Sequence, residues 1–265
     1  MQIFTIPNIL TALNLVCGII SIIFSLSGRV DLAVFPIFGS LIFDYLDGFT
    51  ARLLKQFSDL GKELDSLADV VSFGIAPGIW MLVILPSLGV TDLISLDGAT
   101  AHYYFSIWFQ GVLEGQFYNF LPFLTFLIPV FSMFRLAKFN VDTRQSTSFI
   151  GLPTPANTLF FMIFPLLLFT IDKSSLSLFL IPYFFHPSVL VLCIMLFSYL
   201  LIAELPLFSL KFKSYGWSEN KVRYLFLLMT LIVVILLKLI AIPIIILLYL
   251  AFSVIEHKFV KNIKT

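Results

Sequence analysis

Six of the 15 acidic residues in this 265-residue chain fall between positions 44 and 69: Asp44, Asp47, Asp59, Glu63, Asp65 and Asp69. Four of them lie in or beside strongly apolar sequence, Asp44 and Asp47 in FDYLDGFTAR and Asp65 and Asp69 in GKELDSLADVV. At helical spacing Asp44 and Asp47 (i, i+3) share one face, and Asp65 and Asp69 (i, i+4) share another. The short connection 54–60 makes the two helices antiparallel neighbours, so the acidic pairs face each other at similar depth. Four carboxylates cannot share such a place as bare anions, and protons or cations must accompany them. Hard oxygen ligands select Mg²⁺, Mn²⁺ or Ca²⁺. Four carboxylates on two rigid helices have room for two divalent ions, the arrangement used in phosphoryl and phosphodiester chemistry. Gly48, Ala51 and Gly61 punctuate the same faces, where small side chains admit either a ligand or a close-packed helix. Arg52 is placed to balance the acids or bind a phosphate, or else to snorkel to the interface.

The elements that hold these acids belong to a membrane. Hydrophobic residues make up 60% of the chain and charged residues 12%, against about 45–50% and about 25% in soluble domains. A net charge of +1 gives no basic field for nucleic acid. Cys17 and Cys193 lie inside apolar runs and read as small buried hydrophobes. His102, His186 and His257 form no ligand pattern. A bilayer-crossing helix needs about 20 apolar residues, and eight segments qualify, at approximately 6–27, 31–54, 62–85, 119–140, 155–172, 179–203, 223–238 and 240–256. The last two are either a tight hairpin or one broken helix, and length favours two spans. The first run is not a cleavable signal, because no basic stretch precedes it and Asn8, Thr11 and Asn14 interrupt it.

Charge placement orients the bundle. With both termini cytoplasmic, 13 of the 16 basic residues lie inside, leaving only Arg29, Lys173 and Lys238 outside. The outer segment 86–118 lacks Lys and Arg but carries the aromatic run HYYFSIWF, which suits an interfacial helix. The fold expected is an all-α polytopic integral membrane bundle of about eight transmembrane helices, forming one domain over 1–265 with additional C-terminal spans at about 179–256.

Residues 44–69 read D-x2-D-G-x2-A-R-x8-G-x3-D-x3-D, with eight fixed positions. This resembles the signature of the CDP-alcohol phosphatidyltransferases, metal-dependent helical membrane enzymes. IPNILTALNL at 6–15, DSLADVVSFGIAP at 65–77, FRLAKFNV at 134–141 and FIGLPTPA at 149–156 resemble the phosphatidylserine synthase subfamily. The resemblance covers most of residues 1–160, with a weaker echo at 206–213.

The resemblance implies transfer of a phosphatidyl group from CDP-diacylglycerol to L-serine, releasing CMP. It implies that Asp44, Asp47, Asp65 and Asp69 ligate two ions, Mg²⁺ or Mn²⁺, with Asp69 also the general base. Asn8, Thr11, Gly48, Ala51, Arg52 and Gly61 would bind the CDP moiety. Arg135, Lys138 and Asn140, at the inner end of the fourth span, would bind serine or the lipid phosphate. A homodimer in a bacterial cytoplasmic membrane, its site facing the cytoplasm, is also implied. Asp59 and Glu63 read as a solvated loop face, and Glu204 has no assigned role. Choline, glycerol phosphate or inositol phosphate remain open as acceptors. From another class, a divalent-cation transporter would also carry membrane acids.

Overall fold

Thr5 caps the first helix through its side chain, accepting from the Asn8 N–H at 3.4 Å, and Pro7 occupies the first turn. That helix, α1 (Ile6–Leu26), buries Pro7, Thr11, Asn14, Gly18, Ser21 and Ser25. Their spacing of three and four residues draws one small and polar stripe along the helix, while Ile9, Leu13, Val16 and Ile20 are exposed. The polarity is inverted relative to a soluble helix, as lipid outside and hydrogen-bonded partners inside require.

The computed structural model describes residues 3–88, 96–116, 119–142, 149–170, 183–207 and 216–263. After α1, a 3₁₀ turn (Val30–Leu32) leads into α2 (Val34–Leu53). A short turn, with Lys55 in the left-handed region (φ 54°), reverses the chain into α3 (Asp59–Asp69). Ser58 caps α3 by accepting from the Gly61 N–H at 3.0 Å, and Asp59 in the first turn suits the helix dipole. One π-helical stretch (Val70–Ile75) joins α3 to α4 (Ala76–Ile84). This continuous rod, 59–87, is the central one, and Phe73, Trp80, Met81, Val83 and Ile84 are fully buried along it. Trp80 donates its indole N–H to Ser21 Oγ at 3.0 Å, and Ser21 donates to the Ala33 carbonyl at 2.6 Å. Those two bonds tie α4, α1 and the start of α2 together.

Next come α5 (Gly98–Leu113) and α6 (Leu127–Val141), the latter entered through a 3₁₀ turn. Small residues let α6 approach the central rod. A Cβ on Gly74 would lie 3.0 Å from Ser132 Cβ, and one on Gly78 would lie 3.0 Å from Pro129 Cδ. Strand β1 (Phe149–Ile150) precedes α7 (Thr154–Phe161) and α8 (Ile163–Thr170), and α9 (Pro187–Ile202) precedes β2 (Pro206–Leu207). The two short strands pair antiparallel. Phe160 stacks on Phe197 at 3.5 Å between centroids, joining α7 to α9. The chain ends in α10 (Trp217–Leu237) and α11 (Ala241–Ile263).

The all-α membrane class is observed. Five helical stretches among the described residues are long and apolar enough to cross a bilayer: Ile6–Leu26, Val30–Leu53, Asp59–Ser87, Leu121–Val141 and Asn220–Glu256. Thr154–Phe169 and Pro187–Ile202 are apolar but shorter. The fifth stretch resolves the choice between hairpin and broken helix. Lys238 has φ 51° and ψ −121°, and Arg223 pairs with Glu256 at 3.5 Å while Phe226 meets Phe252. Sequence positions rising in one helix as they fall in the other define an antiparallel hairpin. Of the expected sixth span, Pro187–Ile202 forms α9, and 179–182 lie outside the described residues. So do Arg144, Lys173, Lys211, Lys213 and Lys264 from the charge count, and the 208–213 part of the subfamily echo. The aromatic outer run forms α5 as expected, with Trp108 Nε1 donating to the Asn119 carbonyl at 3.0 Å.

Candidate active site

The turn between α2 and α3 brings the four signature acids to one pole of the bundle. Asp44, Asp47 and Asp65 each offer a carboxylate oxygen such that the three lie within 4.8 Å of one another. Asp65 Oδ1 is buried with no hydrogen-bond partner, and an acceptor-only oxygen left bare costs about 1–3 kcal/mol or more when charged. Converging hard oxygens with one orphaned atom fit a divalent cation. Asp69 stands outside this triad. It is buried, and its Oδ1 accepts from Asn14 Nδ2 at 3.0 Å.

Helix α1 supplies the counterparts. Thr11 donates its hydroxyl to Asp47 Oδ2 at 2.6 Å. Asn14 is fully buried, and its backbone carbonyl accepts from Ser40 on α2 at 2.9 Å and from Ser72 on the π-helical stretch at 3.0 Å. A helical carbonyl bonded twice from the side locks the depth of α1 against both acid-bearing elements. Asn14, Ser40 and Ser72 have no place among the residues expected from sequence. The signal for Asn14 was present in the stripe 7, 11, 14, 18, 21, 25, where a polar face recurs on an apolar helix.

Beside the acids lies a cavity of about 500 Å³. Its walls are Pro7, Asn8 and Thr11 from α1, and Asp47, Gly48 and Ala51 from α2. Gln56, Phe57 and Ser58 from the turn and Asp59, Gly61, Lys62 and Asp65 from α3 complete it. Five of the six residues expected to bind CDP therefore meet in one place. The sixth, Arg52, is exposed at the end of α2 and is not part of this wall, with Nη2 4.0 Å from where a Cβ on Gly48 would stand. Gly61 is a close-approach position, since a Cβ there would lie 3.1 Å from both Asn8 Oδ1 and Ser58 Oγ. Asp59, read from sequence as a solvated loop face, is exposed as expected, though as the first residue of α3 it also lines the cavity.

The residues expected to hold the acceptor separate. Arg135 is buried, its Nε donating to the Leu152 carbonyl at 3.3 Å and its Cζ 5.2 Å from the Phe139 ring centroid. Lys138 is part-exposed and pairs with Glu204 at 3.4 Å, which gives Glu204 a partner. Asn140 spends its amide on Ser66 Oγ at 2.9 Å, and its carbonyl accepts from Lys62 Nζ at 2.9 Å. Both bonds clamp α6 to α3 beside the cavity. Among the described residues of that trio, Arg135 alone has its charged group in the protein interior.

The family model for CDP-alcohol phosphatidyltransferases matches residues 4–198. This chain belongs to that family. The match takes in every residue of the acid cluster and cavity, and ends within α9. Among curated proteins, the chain is 33% identical over 150 residues to CDP-diacylglycerol–serine O-phosphatidyltransferase of Bacillus subtilis. That alignment covers 57% of this chain and 69% of the Bacillus protein. Proteins of the same name from Helicobacter pylori and Saccharomyces cerevisiae are 33% and 35% identical, over 58% and 55% of this chain. The chain spans about half the length of those two, 54% and 48%.

Proposed function

We propose that the protein transfers the phosphatidyl group of CDP-diacylglycerol to the hydroxyl of L-serine, yielding phosphatidylserine and CMP. The observation that carries this reading is the triad Asp44, Asp47 and Asp65, two of whose members, Asp47 and Asp65, line the adjoining cavity, with Asp69 bonded by Asn14. The relatives' names support serine as the acceptor, and the buried guanidinium of Arg135 suits a carboxylate.

In this reading Asp44, Asp47, Asp65 and Asp69 would hold divalent ions, Mg²⁺ or Mn²⁺, two in number. Bound there, the metal supplies positive charge against the donor's pyrophosphate. Gly48, Ala51 and Gly61 leave room for the cytidine and phosphates, and Asn8 and Arg52 offer them polar contacts. The serine Oγ forms a bond to the phosphorus of the phosphatidyl group as the bond to the CMP oxygen breaks. Its proton passes to Asp69, where Asn14 occupies Oδ1 and leaves Oδ2 for the proton. The whole chain acts as one catalytic membrane domain, with the site at the cytoplasmic face of a bacterial membrane, and functions as a homodimer. The two water-soluble species, serine and CMP, then exchange on the side where the basic residues concentrate. The transporter alternative finds no support. Beyond Asp69 the same rod is filled by Phe73, Trp80 and Met81, all fully buried.

Purified protein with CDP-diacylglycerol, Mg²⁺ or Mn²⁺ and a panel of alcohols tests the reading. Serine-dependent CMP release that requires metal and disappears in Asp69→Asn is expected. Release with another alcohol and none with serine refutes the acceptor and keeps the family chemistry.

A further inference from the structure

Asn157, in the first turn of α7, is fully buried, and both its amide nitrogen and its amide oxygen lack a hydrogen-bond partner. Ser132 on α6 is also fully buried with its hydroxyl unpaired. Each such group costs about 1–3 kcal/mol when left alone, and neither belongs to the acid cluster or to the cavity wall. We propose that these atoms form the acceptor subsite: Arg135 takes the carboxylate of a hydroxy amino acid, and Asn157 takes its ammonium group through Oδ1. The assignment rests on the serine reading above and deepens it.

Two contacts fix where this subsite lies. Asn140 bonds Ser66, and Ser132 packs on Gly74, so α6 runs antiparallel to the central rod in a known register. Arg135 falls between those points, opposite the stretch just beyond Asp69. Around the rod, Ser66 faces α6 and Ser72 faces Asn14 on α1. Asp69, three residues beyond Ser66 on α3, is turned about 60° from it at 100° per residue, and its Oδ1 meets Asn14 on α1. One edge of the carboxylate is therefore turned to α1, and the sector toward α6, marked by Ser66, lies about 60° round the rod. Helix α7 closes that sector. Thr158 donates to the Phe73 carbonyl at 2.8 Å, and the Leu152 carbonyl just before α7 takes Arg135 Nε.

The chemistry of the unpaired atoms selects the ligand. Arg135 has five N–H donors, and its one described hydrogen bond uses Nε. Asn157 offers an acceptor and a donor together, and Ser132 offers a hydroxyl. An α-amino acid presents a carboxylate and an ammonium on one carbon, with the reacting hydroxyl one carbon away. Choline lacks the carboxylate, and glycerol phosphate lacks the ammonium and brings a phosphate that one guanidinium serves poorly.

The test is steady-state kinetics of CMP release by Asn157→Ala and Asn157→Ser, with Arg135→Lys alongside. For Asn157→Ala the KM for L-serine should rise about tenfold or more, as loss of a charged hydrogen bond gives. The KM for CDP-diacylglycerol should stay within about twofold, and Asn157→Ser should fall between the two enzymes. On the wild type, L-alanine should compete with L-serine, and propionate or ethylamine should do so at least about tenfold more weakly. That competition carries the test if Asn157→Ala does not fold. An unchanged serine KM in folded Asn157→Ala, or propionate competing as well as alanine, overturns the subsite. So does a parallel rise in both KM values. Wild-type enzyme that uses another alcohol and not serine refutes the serine reading itself, a result separable from any Asn157 effect.

Discussion

Asn14→Ala isolates one hydrogen bond of the proposed reaction. In the native protein the Asn14 amide donates to Asp69 Oδ1 at 3.0 Å, while the backbone carbonyl of the same residue takes Ser40 and Ser72. Alanine removes the amide and keeps the carbonyl, so the helix register that Ser40 and Ser72 lock is preserved. The amide oxygen already lacks a partner, so its removal strands nothing. What is lost is a hydrogen bond to a carboxylate, worth about 1.5–3 kcal/mol. If that bond fixes the base in its working orientation, kcat falls about 10- to 150-fold at 1.36 kcal/mol per decade. The KM for CDP-diacylglycerol holds, because Asn14 is absent from the cavity wall. CMP release with serine and donor varied independently measures both. Asn14→Asp, which sets a further carboxylate against Asp69, should lose more than alanine does. An Asn14→Ala enzyme within twofold of wild type would refute the positioning argument. A raised donor KM at unchanged kcat would move Asn14 from the base to the nucleotide pocket.

Three other perturbations follow from the same geometry. Asp65→Asn removes a charge from the triad and should cut activity by about 10²–10³-fold, with the metal concentration for half-activity shifted upward. Chelation should abolish CMP release, and added Mg²⁺ or Mn²⁺ should restore it. Gly61→Val puts a branched side chain 3.1 Å from Asn8 Oδ1 and from the Ser58 cap. It should weaken donor binding and cost about 0.5–2 kcal/mol through the lost cap, read as a raised donor KM and a lowered Tm. Outside the spans, partial burial raises the Asp97 carboxyl, but bonds from Thr100 and from neighbouring backbone N–H groups outweigh it and hold the group below its ordinary range. A depressed folded pKa stabilises above the unfolded value of about 3.9 and is lost as pH falls. The Tm gap between wild type and Asp97→Ala should therefore narrow as pH drops from 6 toward 3.5.

Much of this site was legible from residue type and spacing. Four acids in apolar sequence, at i, i+3 and i, i+4 with a short turn between, left one way to bring like charges together. Asp44, Asp47 and Asp65 meet as that argument requires. The all-helical membrane class was legible too, because every backbone polar group in lipid must be bonded within its own helix, whereas eight spans were expected and five stretches among the described residues are long and apolar enough to cross. The spacing did not say that a side chain outside the signature would bond one oxygen of Asp69. That depends on α1, a helix 55 residues away in sequence at Asn14, and on how deep Ser40 and Ser72 hold it. Nor did it say which of Arg135, Lys138 and Asn140 turns inward. All three lie at one helix end, and 100° of rotation per residue sends their side chains to an interior, to Glu204 and to Ser66.

The sequence alone therefore determined the solvent, the element type and the identity of the acids that cluster. These follow from composition and from periodicities that act within a few residues. Only the tertiary structure decided which oxygen is left without a donor, which cation is buried, and that Asn157 and Ser132 are buried with unpaired polar atoms. Such facts are set by helix rotation and depth, and those are fixed by side-chain bonds between elements that no local pattern contains.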